Sequence, residues 1–314
     1  MADYKMIATR ESYGKALAEL GQKYQDLIVM DADLAGATKT GIFKKEFPSR
    51  HFDCGIAEAN MICAAAGMST TGLIPFVSSF AMFTAGRGFE QIRNSIGYPH
   101  LNVKIAATHG GISVGEDGAS HQCCEDFALM RTIPGMVVMC PADDVEAREM
   151  VKAAYEYHGP VYMRFGRAGT PVFHPNSMNF QIGKGEVLMD GSDVAIIANG
   201  LMVFKAMQAA SILEKQGIHA AVIDMATIKP LDKELILQYA KKCGKVITCE
   251  EHSIFGGLGE AVAGFLSEVF PVPVSRIGVE DAFGCSGNSN ALLKKFGLTE
   301  DHIVSAAQKL CSVD

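Results

Sequence analysis

The loop formed by residues 109–121 (HGGISVGEDGASH) concentrates groups that can exchange protons. It contains two histidines, His109 and His121, and two acids, Glu116 and Asp117, among four glycines. Imidazoles titrate near neutral pH, carboxylates accept hydrogen bonds, and glycines let the backbone approach a ligand closely. We therefore expect a site that grips a polyhydroxylated substrate; the alternative is a solvated surface turn.

A second segment, residues 53–61 (DCGIAEANM), places Glu58 at the start of an apolar stretch. Residues 62–68 continue it as a small apolar helix, which we expect to be fully buried, for instance at a subunit interface. An isolated buried carboxylate is costly, so Glu58 must be paired, protonated or functional. The alternative is a glutamate at a helix start, favoured there by the helix dipole.

A third segment, residues 78–83 (SSFAMF), places Phe80 and Phe83 three residues apart after an apolar stretch. In a helix this spacing puts both rings on one face. Such a face usually indicates core packing and less often a ring-stacking platform.

The elements that must position these segments alternate between strands and helices. Apolar runs at 101–108, 136–140 and 161–165 have the length of strands buried on both faces, as in a parallel sheet. Between the last two, an aspartate of the segment PADD can cap a helix over 145–157, which makes a βαβ crossover. Ligands bind at the carboxyl ends of such strands, where the loop 109–121 begins.

The second half repeats this alternation after an interruption. Periodicity is lost over 168–192, where glycines and prolines gather. Further strands are expected at 194–198, 220–224, 245–249 and 274–279, and helices at 204–216, 232–242, 258–268 and the C-terminus. The prediction is an α/β chain of two three-layer domains with largely parallel sheets, residues 1–168 and 193–314, joined by a linker at 169–192.

The composition is that of an ordinary globular chain of 314 residues, about twice the length of one domain. Its 28 basic and 35 acidic residues give a net charge of −7, which argues against nucleic-acid or polybasic membrane binding. No apolar run has membrane-spanning length and no signal-peptide pattern is present, so we expect a cytoplasmic protein. The nine cysteines show no C-x-x-C pair, and we expect reduced core cysteines rather than metal ligands.

Three segments together resemble one enzyme family. GIAEANM at 55–61, SSFAMF at 78–83 and THGGISVGEDGASHQ at 108–122 have the order and spacing of the pyrimidine-binding domain of transketolase, a thiamine-diphosphate enzyme. The second half is similar to that family's C-terminal domain, so the resemblance covers essentially the whole chain. It implies transfer of a two-carbon ketol unit from a ketose phosphate to an aldose phosphate, as in the pentose phosphate pathway.

The resemblance implies roles for four residues near the cofactor. Glu58 matches the glutamate that hydrogen-bonds N1′ of the aminopyrimidine. Phe80 and Phe83 match aromatic residues that pack against the pyrimidine ring. Asp33 resembles an acid near the cofactor and the donor sugar.

The sugar hydroxyls are matched to the loop 109–121. The resemblance implies that His109 and Asp117 hydrogen-bond the donor sugar, and that His121 lies near the acceptor and its phosphate. His109 is, with Glu58, a candidate catalytic residue.

The resemblance also implies a phosphate site. Arg10 aligns with an arginine that binds the sugar phosphate, and Arg167 with a second, for which Arg164 is the alternative. An arginine suits this role because its planar fork donates two parallel hydrogen bonds. Where the family often has a phosphate-binding serine, this sequence has Ala37 and then Thr38.

One family motif is absent from the sequence. Thiamine-diphosphate enzymes hold Mg²⁺ and the diphosphate through Gly-Asp-Gly and a downstream asparagine, and no segment here fits that pattern. The resemblance therefore implies the C-terminal subunit of a split transketolase. Its N-terminal-type partner would anchor thiamine diphosphate and Mg²⁺, in an assembly built on a homodimer or an α2β2 heterotetramer.

Other functions stay open at this point. Within the superfamily, the chain could be a beta-type subunit of a 2-oxo acid dehydrogenase or resemble 1-deoxyxylulose-5-phosphate synthase. From another class, Gly257 and Gly259 at a helix start, with Glu280 after the next strand, form a weak dinucleotide-binding pattern. A non-catalytic regulatory subunit is the remaining alternative.

Overall fold

The computed structural model describes residues 4–312, which form two main β-sheets with helices on both faces. The strands are β1 (Met6–Ala8), β2 (Leu27–Asp31), β3 (His51–Asp53), β4 (Ile74–Phe80), β5 (Lys104–Thr108), β6 (Val137–Met139), β7 (Val161–Phe165), β8 (Gly169–Pro171), β9 (Glu186–Met189), β10 (Val194–Ala198), β11 (Ala220–Asp224), β12 (Thr227–Lys229), β13 (Val246–Ser253) and β14 (Val274–Val279). The helices are α1 (Thr9–Lys23), α2 (Ala35–Thr38), α3 (Gly41–Glu46), α4 (Glu58–Ser69), α5 (Phe89–Gln91), α6 (Asp126–Arg131), α7 (Asp144–Glu156), α8 (Met202–Glu214), α9 (Lys233–Cys243), α10 (Leu258–Val269), α11 (Ser289–Lys295) and α12 (Glu300–Cys311). Two π-helical segments flank α5, at Met82–Arg87 and Ile92–Gly97.

The first sheet has seven strands in the order β12-β6-β7-β5-β4-β2-β3. The six strands from the N-terminal half run parallel, whereas β12, from the second half, pairs antiparallel with β6. Helices α1 and α7 pack on one face, and α4 and α6 on the other. Because β2, β5 and β7 are buried along their whole length, their sequences are mostly apolar and do not alternate with polar residues.

The second sheet has five strands in the order β14-β13-β10-β11-β9, all parallel except β9. Helices α8 and α12 cover one face, and α9 and α10 the other. Strands β1 and β8 form a separate antiparallel pair. The predicted fold class, two three-layer α/β units with largely parallel sheets, is confirmed.

Several predicted elements are found with their bounds unchanged, namely β7, β10, β11 and β14. The predicted aspartate cap is also present, since the Asp143 side chain accepts a hydrogen bond from the Glu146 N–H at the start of α7, at 3.1 Å. Within residues 169–192, where the sequence predicts only a linker, the structure has the short strands β8 and β9.

The prediction of a fully buried apolar helix after Glu58 is wrong for this chain. Helix α4 buries one face through residues such as Met61 and Ile62, whereas Asn60, Cys63 and Gly67 are exposed on the other. The sheet lies against only one side of α4, and no element of residues 4–312 covers the opposite side.

The cysteines follow the core expectation in part. All nine are free, and five of them are buried, whereas Cys63 is exposed. No helix within the described residues combines the length and the apolar character needed to cross a membrane.

Candidate functional site

The candidate site lies at the carboxyl ends of the strands of the first sheet. Phe80 ends β4 opposite Thr108, which ends β5, and Thr108 in turn lies opposite Phe165 at the end of β7. Since parallel strands end at the same edge, the residues that follow them meet there. His109 directly follows β5, and Arg167 lies two residues beyond β7.

Glu58 is buried in this site and is paired. The residue is 1% exposed, its Oε1 accepts a hydrogen bond from the Ser79 hydroxyl at 3.1 Å, and its Oε2 accepts one from Arg87 at 2.8 Å. The Arg87 side chain is half exposed, so one partner of the buried carboxylate reaches solvent. Of the sequence-based alternatives for Glu58, the structure therefore shows pairing.

An aromatic wall adjoins this carboxylate. The Phe80 ring stacks on the His109 imidazole with centroids 3.8 Å apart, and on Phe83 at 5.8 Å. The His121 ring meets Phe83 edge-on at 5.3 Å, and the Arg87 guanidinium lies 4.9 Å from the Phe83 centroid. The sequence-based assumption that both phenylalanines lie on one helix is wrong, because Phe80 ends strand β4 and only Phe83 is π-helical.

His109 is held in one tautomer by its neighbours. Its Nε2 lies 3.2 Å from a guanidinium nitrogen of Arg10, and its Nδ1 lies 2.8 Å from the Thr108 hydroxyl. A guanidinium can only donate, so Nε2 accepts and the proton lies on Nδ1. Burial, followed by the charges of Arg10 and Arg167, lowers the pKa of His109 to about 3. The imidazole is therefore neutral at neutral pH and acts as a hydrogen-bonding group.

The backbone at His109 has a positive φ of 59°. For a residue with a Cβ atom this left-handed conformation is unfavourable, and it persists only where the surroundings enforce it. Here the Phe80 ring on one side and the Arg10 guanidinium on the other fix the imidazole.

Two arginines give the site positive charge. Arg10 donates to the Ala37 carbonyl oxygen at 2.8 Å, and its Nε is buried without a partner. Burial and the charge of Arg167 lower the pKa of the Arg10 guanidinium. Arg167 pairs with Glu116 at 2.7 Å and also donates to the Val114 carbonyl oxygen. Two neighbouring guanidinium groups favour an anion between them.

Arg164, the alternative second phosphate arginine, points elsewhere. It is 3% exposed, its Nη2 donates to the carbonyl oxygens of Cys123 and Glu251, and its Nε lies 3.3 Å from Asp126. Because Glu251 belongs to the second sheet and the other partners to the first half, Arg164 joins the two units. This geometry favours Arg167 over Arg164 as a ligand-binding residue.

The two remaining predicted acids lie at the rim. Asp117 is exposed in the turn before His121, and Asp33 is exposed with a φ of 59°. The Asp33 N–H donates to Asp53 Oδ1 at 3.0 Å, as does the Gly55 N–H. Neither Asp33 nor Asp117 contacts the aromatic wall through a hydrogen bond or an ion pair within the described residues.

The positions that replace the family serine differ in orientation. The Thr38 hydroxyl is buried and donates to Asp31 Oδ2 at 2.7 Å, and Thr40 donates to the same oxygen. Burial raises the pKa of Asp31. Thr38 therefore serves the loop after β2 and not the phosphate site.

Sequence reasoning missed Arg87 and Ser79. Ser79 lies inside a segment quoted for its phenylalanines, and its hydroxyl orientation follows from strand β4, which the sequence predicts only to residue 77. Arg87 carried a signal, because it is a charged residue in a stretch that is otherwise apolar or small, four residues after Phe83.

The dinucleotide-binding pattern is not supported by the structure. The N–H groups of Leu258 and Gly259, at the start of α10, donate to the Glu250 carboxylate at 2.7 Å each. Glu250 is completely buried, and a Cβ at Gly257 would collide with its carboxylate. The helix terminus that would receive a phosphate is thus filled by the chain's own carboxylate.

Ionisable groups gathered at the carboxyl end of a buried parallel sheet, beside an aromatic wall, define an α/β enzyme that works with a bound cofactor. The family model described as transketolase, pyrimidine binding domain, matches residues 5–171, and the model for the transketolase C-terminal domain matches residues 183–303. The chain belongs to the transketolase family and comprises the two domains of the C-terminal subunit of a split transketolase.

Individual relatives agree with this assignment. A Methanocaldococcus jannaschii protein provisionally named transketolase C-terminal section is 52% identical and covers 94% of this chain and 93% of its own length. One of the subunits of an apulose-4-phosphate transketolase from Phocaeicola vulgatus is 41% identical, covering 96% and 97%. A solved structure described as a split-gene transketolase, inactive β4 tetramer, is 53% identical with a TM-score of 0.90, covering 98% and 99%.

Proposed function

We propose that this chain is the C-terminal subunit of a thiamine-diphosphate-dependent transketolase that transfers a two-carbon ketol unit from a ketose phosphate to an aldose phosphate. The observation that carries the proposal is the buried Glu58 carboxylate beside an aromatic wall that also contains His109. The neutral imidazole of His109 lies between this wall and the arginine pair, where a phosphorylated sugar would extend.

The residues present fit the pyrimidine half of the cofactor. Glu58 would hold the ring nitrogen N1′, and Phe80 and Phe83 would pack on the ring, with Asp33 at the rim near the thiazolium side. Bound thiamine diphosphate supplies the carbon nucleophile and electron sink that carry the two-carbon unit. For this role the Glu58 carboxylate must exchange its contact with Arg87, which the half-exposed position of Arg87 allows.

The substrate would be held by hydrogen bonds and by charge. His109 Nε2 accepts, so it matches a sugar hydroxyl that donates, and Asp117 and His121 extend the polar rim of the same loop. Arg10 and Arg167 suit the terminal phosphate, since an unpartnered Nε of Arg10 is already buried at the site. Exclusion of water by the stacked rings strengthens each of these interactions.

The metal and the diphosphate do not fit this chain alone. Within residues 4–312 no group of three His, Cys, Asp or Glu side chains is arranged to hold a metal ion, and the Gly-Asp-Gly motif is missing from the sequence. We therefore assign both to an N-terminal-type partner subunit, in an α2β2 heterotetramer or an assembly built on a homodimer of this chain in the cytoplasm. The inactive β4 assembly of the related structure supports this dependence.

The test is reconstitution. This chain is mixed with a candidate N-terminal subunit, thiamine diphosphate, Mg²⁺, xylulose 5-phosphate and ribose 5-phosphate, and ketol transfer is measured. We expect activity only in the complete mixture, lost in Glu58→Ala and kept in the exposed control Glu234→Gln. Full activity of this chain alone would overturn the partner requirement. Turnover of pyruvate in place of ketose phosphates would instead favour the dehydrogenase or synthase alternatives, and full activity with Glu58→Ala a regulatory subunit.

A further inference from the structure

A large basic groove lies at the far edge of the second sheet, away from the candidate site. It has a volume of about 980 Å³ and runs between the outer strand β14 and helix α12. Pockets that bind small molecules commonly fall in the range of about 300–1,000 Å³. No role of the proposed function uses this groove.

The groove is strongly positive in a chain whose net charge is −7. Its charged lining consists of five cations and one acid, Lys245, Arg276, Lys294, Lys295, Lys309 and Glu280, together with His302. Arg276 is paired with Glu260. Among residues 4–312, no carboxylate lies within ion-pair distance of the four lysines. Such a concentration of cations favours an anionic ligand.

The lysines are not there to protect the sheet edge. Lysines that block edge-to-edge pairing lie on the edge strand itself. Here Lys245 precedes β13, Lys294 and Lys295 end α11, and Lys309 lies in the last turn of α12. Four lysines from three different places in the chain therefore converge on one groove.

The cations form two groups at opposite ends of α12. Lys294 and Lys295 lie near His302 in the first turn, since the neighbouring Gly297 has its Cβ position 3.3 Å from the His302 ring. Lys309 lies near Lys245 at the other end, where α12 packs on β13. Seven residues of helix separate His302 from Lys309, which corresponds to about 10 Å. Between the two groups the lining is mixed, with Ser275, Ser305 and apolar side chains.

From this geometry we infer a second ligand site, which binds a small bisphosphorylated molecule whose two phosphate groups lie about 10 Å apart. Each phosphate meets one lysine group, and the mixed lining between them receives the polar body of the ligand. A monophosphate engages only one group at a time and binds more weakly. This second site is independent of the proposed transketolase activity.

The test is calorimetric titration of the chain at low salt with fructose 1,6-bisphosphate, fructose 6-phosphate and inorganic phosphate. We expect the bisphosphate to bind at least about tenfold more tightly than either other probe. Lys294→Glu and Lys309→Glu, one at each end, should each weaken it by about tenfold or more, and the exposed control Lys241→Glu should leave it unchanged.

Three results would overturn the inference. The first is a bisphosphate affinity no greater than that of inorganic phosphate. The second is binding that survives both charge reversals and is lost in Arg167→Ala, because the ligand then occupies the candidate site instead. The third is binding of an acidic peptide without binding of any phosphate probe, which would make the groove a protein interface.

Discussion

Two buried glutamates, Glu58 and Glu250, lie beside the starts of helices and are used in opposite ways. Both are at most 1% exposed. Glu250, within strand β13, accepts hydrogen bonds from two backbone N–H groups at the start of α10. Glu58, the first residue of α4, accepts from the side chains of Ser79 and Arg87.

The difference separates a structural carboxylate from an available one. Backbone donors cannot move without unfolding the helix turn, so Glu250 is committed to α10. Side-chain donors can rotate away, and Arg87 already reaches solvent. Glu58 can thus change partners at the cost of one exchangeable ion pair, which is what a residue that binds a ligand requires.

The largest expected effect is on activity. Glu58→Gln in the assembled enzyme should lower kcat by about 10²–10⁴-fold, because an amide cannot exchange a proton with the cofactor. Steady-state ketol transfer measures this loss, and thermal unfolding of the same variant should change little. A loss of activity that tracks a loss of folded protein would remove the contrast with Glu250.

The reverse pattern is expected for the structural glutamate. Glu250→Ala leaves the N–H groups of Leu258 and Gly259 buried without acceptors, and we expect the free energy of unfolding to fall by about 2–5 kcal/mol. Urea unfolding of the chain measures it. Activity per folded molecule in the reconstituted enzyme should be kept, and an inactive yet stable variant would contradict the assignment.

The pH dependence of stability separates His109 from exposed histidines. Its pKa is about 3 in the folded chain against an ordinary value of 6.5, so the unfolded chain takes up this proton first as the pH falls. Stability is therefore lost between about pH 6.5 and 3, by about 2 kcal/mol at pH 5. His109→Gln should flatten this part of the curve. The exposed control His158→Gln should not, and identical slopes in wild type and His109→Gln would refute the buried neutral imidazole.

The smallest effect concerns the outer face of α4. Gly67 is exposed within the helix, and a Cβ added there meets no atom within 4 Å. Gly67→Ala should raise the stability of the isolated chain by about 0.5–1 kcal/mol, because alanine is the better helix former. A fall in melting temperature would instead show that another element covers this face in solution.

Sequence patterns predicted the regular part of the fold because burial on both faces leaves a clear signal. Strands such as β10 and β11 are apolar runs with sharp ends. The three- and four-residue strands β8, β9 and β12 are too short for any periodicity, and pairing across the chain alone defines them.

The candidate site was predictable where function demands a residue type. His109, Glu58 and Phe83 were named from the sequence and lie together. The contact of Arg87 with Glu58 joins residues 29 positions apart, and local spacing carries no information about it. The choice between Arg164 and Arg167 likewise depends on which way each side chain leaves the strand end, which a shift of one residue reverses.

Strand β12 bears on how the protein is made. Thr227–Lys229 supplies the last strand of a sheet whose other six strands lie before residue 166. During translation, the outer flank of β6 therefore waits unpaired for more than sixty further residues to leave the ribosome. The first sheet closes only after β11 of the second has been synthesised, so a nascent chain released before this point would expose an open strand edge to self-association.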